Sequence, residues 1–142
     1  MEDLPQGKTM SYFLDDEKKQ LDDSLLDEQA RKWAQSFVEN PRGKPLKTTQ
    51  MRRFYDELKA IERKIVSGKD EAERELNFKR DKALVTMFKA KAVYAQKRDV
   101  SPAEFTQFIF DHVASIKDLK DLKAFLKVFE AVVAFHKFYA KD

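Results

Sequence analysis

The sequence predicts an all-α protein, a compact bundle of about five helices with a disordered acidic N-terminal tail. Three observations support this prediction. The 142 residues include only three glycines and four prolines, whereas 37% are charged, a composition that favours helix. Apolar residues recur at helical spacing in several separate stretches, and no stretch alternates as a half-buried strand would. Twelve phenylalanines then supply an aromatic core.

The N-terminal region is acidic and polar. Residues 1–28 contain nine acids and three bases, a net charge of −6, so the remaining residues carry +9 of the total of +3. Residues 1–24 hold too few apolar side chains to offset the entropy of ordering them, so we expect them to form a disordered tail. The helical domain is then expected over residues 25–142. An acidic tail on a basic body suggests a polyanionic partner, although a solubilising tail on a lysine-rich surface is the alternative.

The first two helices are predicted on either side of a break at residues 40–45, "NPRGKP". The first runs from about Leu25 to Glu39. The second begins near Thr48 or Thr49, either of which could cap the free backbone N–H groups, and ends where Gly68 could adopt the left-handed conformation. Its apolar stripe comprises Met51, Phe54, Tyr55, Leu58, Ile61 and Ile65.

A long third helix is predicted from Asp70 to about Arg98, because Asp70 and Glu73 resemble a capping box. Its second half has apolar residues nearly all round, so we expect it to be central and covered on several sides. These residues are Leu84, Val85, Met87, Phe88, Val93 and Tyr94.

The last two helices begin at clear start signals. In "SPAE", residues 101–104, Ser101 is expected to cap, Pro102 to occupy the first helical position and Glu104 to close the box. Asp118 is expected to cap a final helix that runs to about Tyr139. The stripe of the fourth helix comprises Phe105, Phe108, Ile109, His112, Val113 and Ile116, and that of the fifth Leu122, Phe125, Leu126, Phe129, Val132 and Val133.

The residue types argue against most enzyme chemistry. The chain has no cysteine, which excludes disulfides and thiolate sites, and no glycine-rich phosphate loop. His112 and His136 both lie on apolar stripes, so we expect core histidines and no metal or cofactor. No apolar run reaches membrane-spanning length and the N-terminus lacks a signal-peptide layout, which favours a soluble, cytoplasmic protein with no membrane partner.

The basic residues form rows along the helices. On the second helix Arg52, Lys59 and Arg63 lie within about 40° of one another, with Arg53 pointing further out. Such rows could follow a phosphate backbone, or they could be a solvated rim beside the core. The other rows are Arg80, Lys91 and Arg98; Lys82 and Lys89; and Lys120, Lys123 and Lys127.

Three stretches together resemble one family, the small subunit of the type III-A CRISPR effector complex, the Csm complex. "LKTTQMRRFYDELKAIE" resembles its first motif, although one residue is missing between the threonine pair and Gln50. "MFKAKAVYAQKR" resembles its central motif, with Ala90 where the family often has proline. "FEAVVAFHKFYA" resembles its C-terminal motif. The resemblance covers about residues 30–140.

The resemblance implies a non-catalytic RNA-binding scaffold that lines up in a filament with its own copies and with other subunits of the effector complex. It implies contacts with the backbones of guide RNA and target single-stranded RNA, so that residues 25–142 become an RNA-binding domain. The alternatives are a helical protein–protein adaptor with a basic surface and, less favoured, a carboxylate hydrolase. The implied contact residues are Lys47, Arg52, Arg53, Lys89, Lys91 and Arg98.

Overall fold

The computed structural model describes residues 3–142, and over that range it confirms a compact all-α bundle. A short 3₁₀ helix precedes five α-helices, and the described residues contain no strand, only one isolated antiparallel bridge between Phe13 and Leu21. The first helix is shorter than predicted, because Asp27 has a non-helical backbone that separates the 3₁₀ turn from α1. The bounds are 3₁₀ Asp23–Leu26, α1 Glu28–Ser36, α2 Thr48–Val66, α3 Glu71–Lys97, α4 Ala103–Ser115 and α5 Leu119–Tyr139.

The core is an aromatic cluster centred on Phe108 of α4. Its ring lies 5.3 Å from that of Trp33, 5.4 Å from that of Phe37 and 5.7 Å from that of Phe129, all in edge-to-face orientation. Aromatic pairs prefer this geometry because the positive edge of one ring meets the negative face of the next. Helices α1 and α2 both pack against α5, and α3 packs against α2 and α4. The predicted stripes of α2, α4 and α5 therefore face one core.

The N-terminal region is not the disordered tail expected from its composition. Residues 3–22, called here the N-terminal strap, cross α4 and insert Tyr12 into the core with 1% of its surface exposed. The Tyr12 hydroxyl hydrogen-bonds to Nδ1 of His112 at 2.7 Å, and the two rings stack. The expectation failed because it relied on the average hydropathy of the segment. Full burial of one aromatic side chain stabilises the fold by about 2–3 kcal/mol, which an average does not reveal. Residues 1–2 lie outside the described range.

The strap is also held by charge and by backbone contacts. Lys18 places its ammonium 2.6 Å from Asp118 and 3.0 Å from Asp121, at the start of α5. The backbone N–H of Met10 donates to the Ser115 hydroxyl at 2.9 Å. A Cβ added at Gly7 would lie 2.5 Å from the Phe110 carbonyl oxygen, so only glycine allows this approach to α4.

The helix caps follow the prediction at two helices and depart from it at two. Asp70 and Asp118 accept from the backbone N–H groups of Glu73 and Asp121, as predicted. Neither Thr48 nor Thr49 caps α2, since its N-cap residue is Lys47. At α4 the N-cap residue is Pro102, not Ser101 as predicted, and no side chain caps the helix.

At the starts of α2 and α4, hydrogen bonds to residues distant in sequence replace the expected local capping bonds. The Asp142 carboxylate accepts from the N–H of Thr48 at 3.0 Å. Glu104 accepts from the backbone N–H of Arg42 at 2.9 Å instead of closing a box with Ser101.

Gly68 follows α2 as predicted, but not for the predicted reason. Gly43 is the glycine that adopts a positive φ, 113°. At Gly68 a Cβ would lie 3.0 Å from the backbone nitrogen of Arg74 and 3.1 Å from the amide nitrogen of Asn77. A side chain here would force these neighbours to shift by a few tenths of an ångström, because α3 starts so close to the end of α2.

Helix α3 is less covered than predicted. Val85 and Phe88 are buried, but Leu84, Met87 and Tyr94 are 42%, 51% and 65% exposed. The helix packs against α2 on one side and α4 on the other, and its remaining side, called here the outer face of α3, is open. The same face carries Lys91 and Arg98, so exposed apolar and basic side chains alternate along it.

Candidate nucleic-acid interface

Arg52 and Arg53 occupy the first turns of α2, and both are exposed. They line a cleft of about 620 Å³ between this end of α2 and the C-terminal part of α5. Lys137 of α5 lines the same cleft, opposite the arginines. Helix α2 turns the guanidinium groups outward because the neighbouring residues Met51 and Phe54 are held in the core.

Lys91 belongs to the adjacent helix and reaches the edge of this cleft. Its ammonium lies 2.7 Å from the carboxylate of Glu57, which also lines the cleft. The same ammonium lies 5.1 Å from the centroid of the Phe88 ring. The structure thus brings Arg52, Arg53 and Lys91 to one cleft, although 38 positions separate Arg53 from Lys91 along the chain.

Arg98 lies at the C-terminal end of α3, where it caps the helix. Its guanidinium stands 5.4 Å from the centroid of the Tyr94 ring, which is itself largely exposed. Seven residues separate Lys91 from Arg98, so they are spaced by about 10 Å along the helix axis. Tyr94 lies between them and offers an aromatic face to solvent.

Lys89 and Lys47 do not join this group. The Lys89 ammonium lies 4.9 Å from the Phe110 ring of α4, so it faces the opposite flank of α3 from Lys91. Lys47 is exposed at the N-terminal end of α2, where the Asp142 carboxylate already accepts from the Thr48 N–H and hydroxyl. These hydrogen bonds hold the pKa of Asp142 below its ordinary value.

Acidic residues limit the positive potential of the basic rows. The cleft includes Asp56 as well as Glu57. On α3, Arg80 makes two hydrogen bonds to Asp81, at 2.7 and 3.0 Å, and this pairing holds the pKa of Asp81 below its ordinary value. Arg80 is therefore committed to an internal partner, whereas Arg52 and Arg53 are exposed and form no ion pair within residues 3–142.

The sequence identified Glu57 as an acid opposing the basic row of α2, but it missed the pairing of Glu57 with Lys91 and the presence of Lys137 and Asp142 in this region. Lys137 stands in the C-terminal motif "FHKFYA", so the motif could have pointed to it. Glu57 and Asp142 gave no such signal, because their positions depend on how α3 and the chain end pack against α2. The sequence did place Arg52 in one basic row, with Arg53 pointing further out, and Lys91 and Arg98 in a row of the next helix.

The histidines are buried, as predicted. His112 has 0% exposure, and burial lowers the pKa of its imidazole to about 3. Its Nε2 has no hydrogen-bond partner within residues 3–142. Aromatic rings pack around the imidazole, including that of Phe125, whose centroid lies 4.5 Å from the imidazole centroid. Nε2 of His136 donates to the Leu46 carbonyl at 2.7 Å. Among the described residues no group of three or more His, Asp or Glu side chains could hold a metal ion.

The sequence model of one protein family, described as Csm2 Type III-A, matches residues 20–142. The chain belongs to the Csm2 family. Csm2 is the small subunit of type III-A CRISPR effector complexes and associates with other Csm subunits. The matched region contains α1 to α5 and the basic cleft, whereas the Csm2 match leaves out strap residues 3–19.

The two other comparisons found nothing similar. No curated protein matches this Csm2 chain, and no solved structure matches it. None of the helices formed by residues 3–142 is long and apolar enough to cross a membrane.

Proposed function

We propose that this chain is a non-catalytic, RNA-binding small subunit of the type III-A effector complex. It contacts guide RNA and target single-stranded RNA through backbone phosphates and lies beside further copies of itself in a filament. The observation that supports this most is the convergence of Arg52, Arg53 and Lys91 at one cleft, on two helices that the family match covers.

The track is proposed to start at the cleft and to continue along the outer face of α3. Arginine suits the first part because its planar fork can donate two parallel hydrogen bonds to one phosphate. Arg98, about 10 Å beyond Lys91, is spaced to reach a further phosphate. Tyr94 between them can stack on a base whatever its identity, as aromatic platforms do in single-strand binding proteins. Lys47 and Lys89 would be peripheral contacts.

Glu57 is an internal competitor in this proposal. Its carboxylate pairs with Lys91 at 2.7 Å, and a phosphate would have to displace it. The pair is exposed, so the ion pair is worth only about 0.2–1 kcal/mol. Phosphate can replace it at small cost, and the lysine is meanwhile held at the edge of the cleft.

The test is a pair of matched double variants, Arg52→Ala/Arg53→Ala and Arg31→Ala/Lys32→Ala. Each removes two adjacent exposed cations from one helix, but the second pair lies on α1. The first variant should weaken binding to unrelated single-stranded RNAs alike and reduce the salt slope by about 0.7 for each lost contact. The α1 control should change neither by as much. Glu57→Gln should raise RNA affinity by about 2–5-fold.

Equal losses of RNA affinity in the two double variants would show that only the total charge matters. The assignment of Arg52 and Arg53 as phosphate contacts would then be wrong. Helicity and melting temperature are measured for every variant, because arginine stems also pack against neighbours. Binding is measured in the free subunit and in the assembled complex.

A further inference from the structure

A groove of about 470 Å³ lies farther along the contact between α2 and α5, where the N-terminal strap closes one side. Ala124 and Leu126 of α5 form its floor, and both are almost fully buried. Phe13 and Leu21, the two residues of the antiparallel bridge in the strap, line another side. We call this the strap groove. Its volume is typical of pockets that hold a ligand or a few side chains.

Charge is unevenly distributed along the strap groove. At one end Lys59 is 3.2 Å from Glu62 and Lys127 is 3.9 Å from Glu130, so these cations are already compensated. At the other end Lys120 and Lys123 are exposed, and no carboxylate lies within ion-pair distance of either among residues 3–142. The Lys120 ammonium donates to the Glu17 carbonyl oxygen at 3.5 Å.

We propose that the strap groove docks an acidic, amphipathic segment of a partner protein. Apolar side chains of the segment fill the space over Ala124 and Leu126, and its carboxylates meet Lys120 and Lys123. Lys120 to Lys127 span seven residues of α5, about 10 Å, which accommodates two turns of a partner helix or three residues of extended chain. The strap groove would therefore bind a protein partner at a surface separate from the basic cleft.

The observations favour a protein over RNA at this site. Glu130 lies between Lys137 of the basic cleft and Lys123 of the groove, so a polyanion continuing from the cleft would pass a carboxylate. Tyr55 is half-buried and packs edge-on against Phe129 at 5.7 Å. Single-stranded RNA instead uses exposed aromatic faces, and the exposed Tyr94 is such a face on α3.

The groove depends on a part of this chain that the family match omits. Phe13 comes from the strap, of which residues 3–19 lie outside the matched range. Tyr12 next to it is anchored in the core, and Lys18 is tied to α5, so the wall is fixed before any partner arrives. A preformed wall lowers the ordering cost of binding.

Zero-length carbodiimide cross-linking of the complete effector complex tests the proposal directly. We expect mass spectrometry to find Lys120 or Lys123 joined to aspartate or glutamate side chains of another Csm subunit. Joins only to a second copy of this chain, or no joins at all, would overturn the proposal. Ultraviolet cross-links from Phe13 or Tyr55 to RNA would overturn it in favour of the nucleic acid.

Matched charge reversals provide the second test. Lys120→Glu/Lys123→Glu is compared with Lys79→Glu/Lys82→Glu, since both variants reverse two exposed lysines three residues apart on one helix. In titrations of labelled subunit into a complex lacking it, the first should raise the half-saturating concentration about tenfold or more, because carboxylates then face carboxylates. The control should change it less than about twofold, as exposed charges away from an interface do.

RNA affinity of the free subunit should fall equally in the two charge-reversal variants, because each changes the net charge by the same amount. This separates the groove from the basic cleft, where Arg52→Ala/Arg53→Ala acts on RNA affinity. Lys123→Glu alone serves as the variant that leaves the Lys120 contact with the strap intact. If Lys123→Glu, correctly folded, incorporates like the wild type, the docking assignment is wrong.

Discussion

The N-terminal strap and the outer face of α3 have opposite compositions and opposite fates. The strap is acidic and polar, yet it buries Tyr12 completely and inserts Lys18 between two carboxylates. The outer face of α3 belongs to a helix rich in apolar residues, yet Met87 and Tyr94 are more than half exposed. The comparison shows that burial is decided by single anchoring contacts and available neighbours, and the average hydropathy of a segment does not reveal it.

The difference has a physical basis in what each segment can pack against. Beside His112 of α4 and Phe125 of α5, the strap packs the Tyr12 ring into the core and bonds its hydroxyl to the imidazole. The outer face of α3 has no facing helix among residues 3–142, because α2 and α4 occupy its two flanks. Side chains on the outer face of α3 are available for a ligand, whereas Tyr12 and Lys18 of the strap are already held by His112 and by α5.

The largest expected effect comes from removing the strap. Deletion of residues 1–19 should lower the free energy of unfolding by about 5 kcal/mol or more, since the core loses Tyr12 and part of Phe13 together. Deletion of residues 1–4, which include the exposed Leu4, should change it by less than about 0.5 kcal/mol. Urea unfolding followed by circular dichroism measures both. An unchanged urea midpoint for the longer deletion would show that the strap does not contribute to the stability of the core.

Tyrosine truncation at each region gives the next largest difference. Tyr12→Ala should cost about 3–5 kcal/mol of stability, because it leaves a cavity beside His112. Tyr94→Ala should cost less than about 0.5 kcal/mol, because that ring is exposed, and it should weaken RNA binding instead. Urea midpoints measure the stability of both variants, and RNA titrations measure their affinity for RNA. Similar stability losses at the two positions would contradict the comparison.

A smaller effect is expected from acid pH, which should lower stability through His112, the hydrogen-bond partner of Tyr12. Burial lowers the pKa of His112 from 6.5 to about 3. The unfolded chain therefore binds a proton here below pH 6.5, while the folded chain does not until about pH 3. The stabilising contribution of the neutral ring is complete above pH 6.5 and is lost as pH falls toward 3, with a slope of at most about 1.4 kcal/mol per pH unit.

His112→Gln isolates this contribution. The variant should be less stable at pH 7, because the glutamine neither fills the aromatic site nor keeps the same bond to Tyr12. Its stability should fall less steeply between pH 6.5 and 4 than that of the wild type. Thermal melts across this range measure the slopes, and parallel slopes would show that carboxylates such as Asp118 dominate the acid response.

The sequence predicted the five helices and their inward faces because local signals were strong and consistent. Asp70 and Asp118 stand directly before helical segments, and their caps form as expected. The basic rows were also readable, since residues spaced by seven positions must share a helix face. The motifs around Arg52 and Lys91 indicated the family before the family match established it.

Other predictions failed because they depended on contacts between distant parts of the chain. The cap of α2 comes from Asp142, 94 residues away from Thr48. Gly68 does not adopt the left-handed conformation, and a Cβ there would instead be crowded by Arg74 and Asn77 of α3. RNA contact by the six proposed residues stays a prediction, although four of them lie along one surface.

The sequence by itself determined the helices, their core-facing stripes, the aromatic character of the core and the family. These properties follow from periodicity, capping residues and motifs, each of which acts over a few neighbouring positions. Only the tertiary structure decided that the strap is part of the core, that Glu57 restrains Lys91, and that α3 has an open face. Burial and electrostatic pairing depend on which surfaces meet, and that is fixed by packing between segments far apart in the chain.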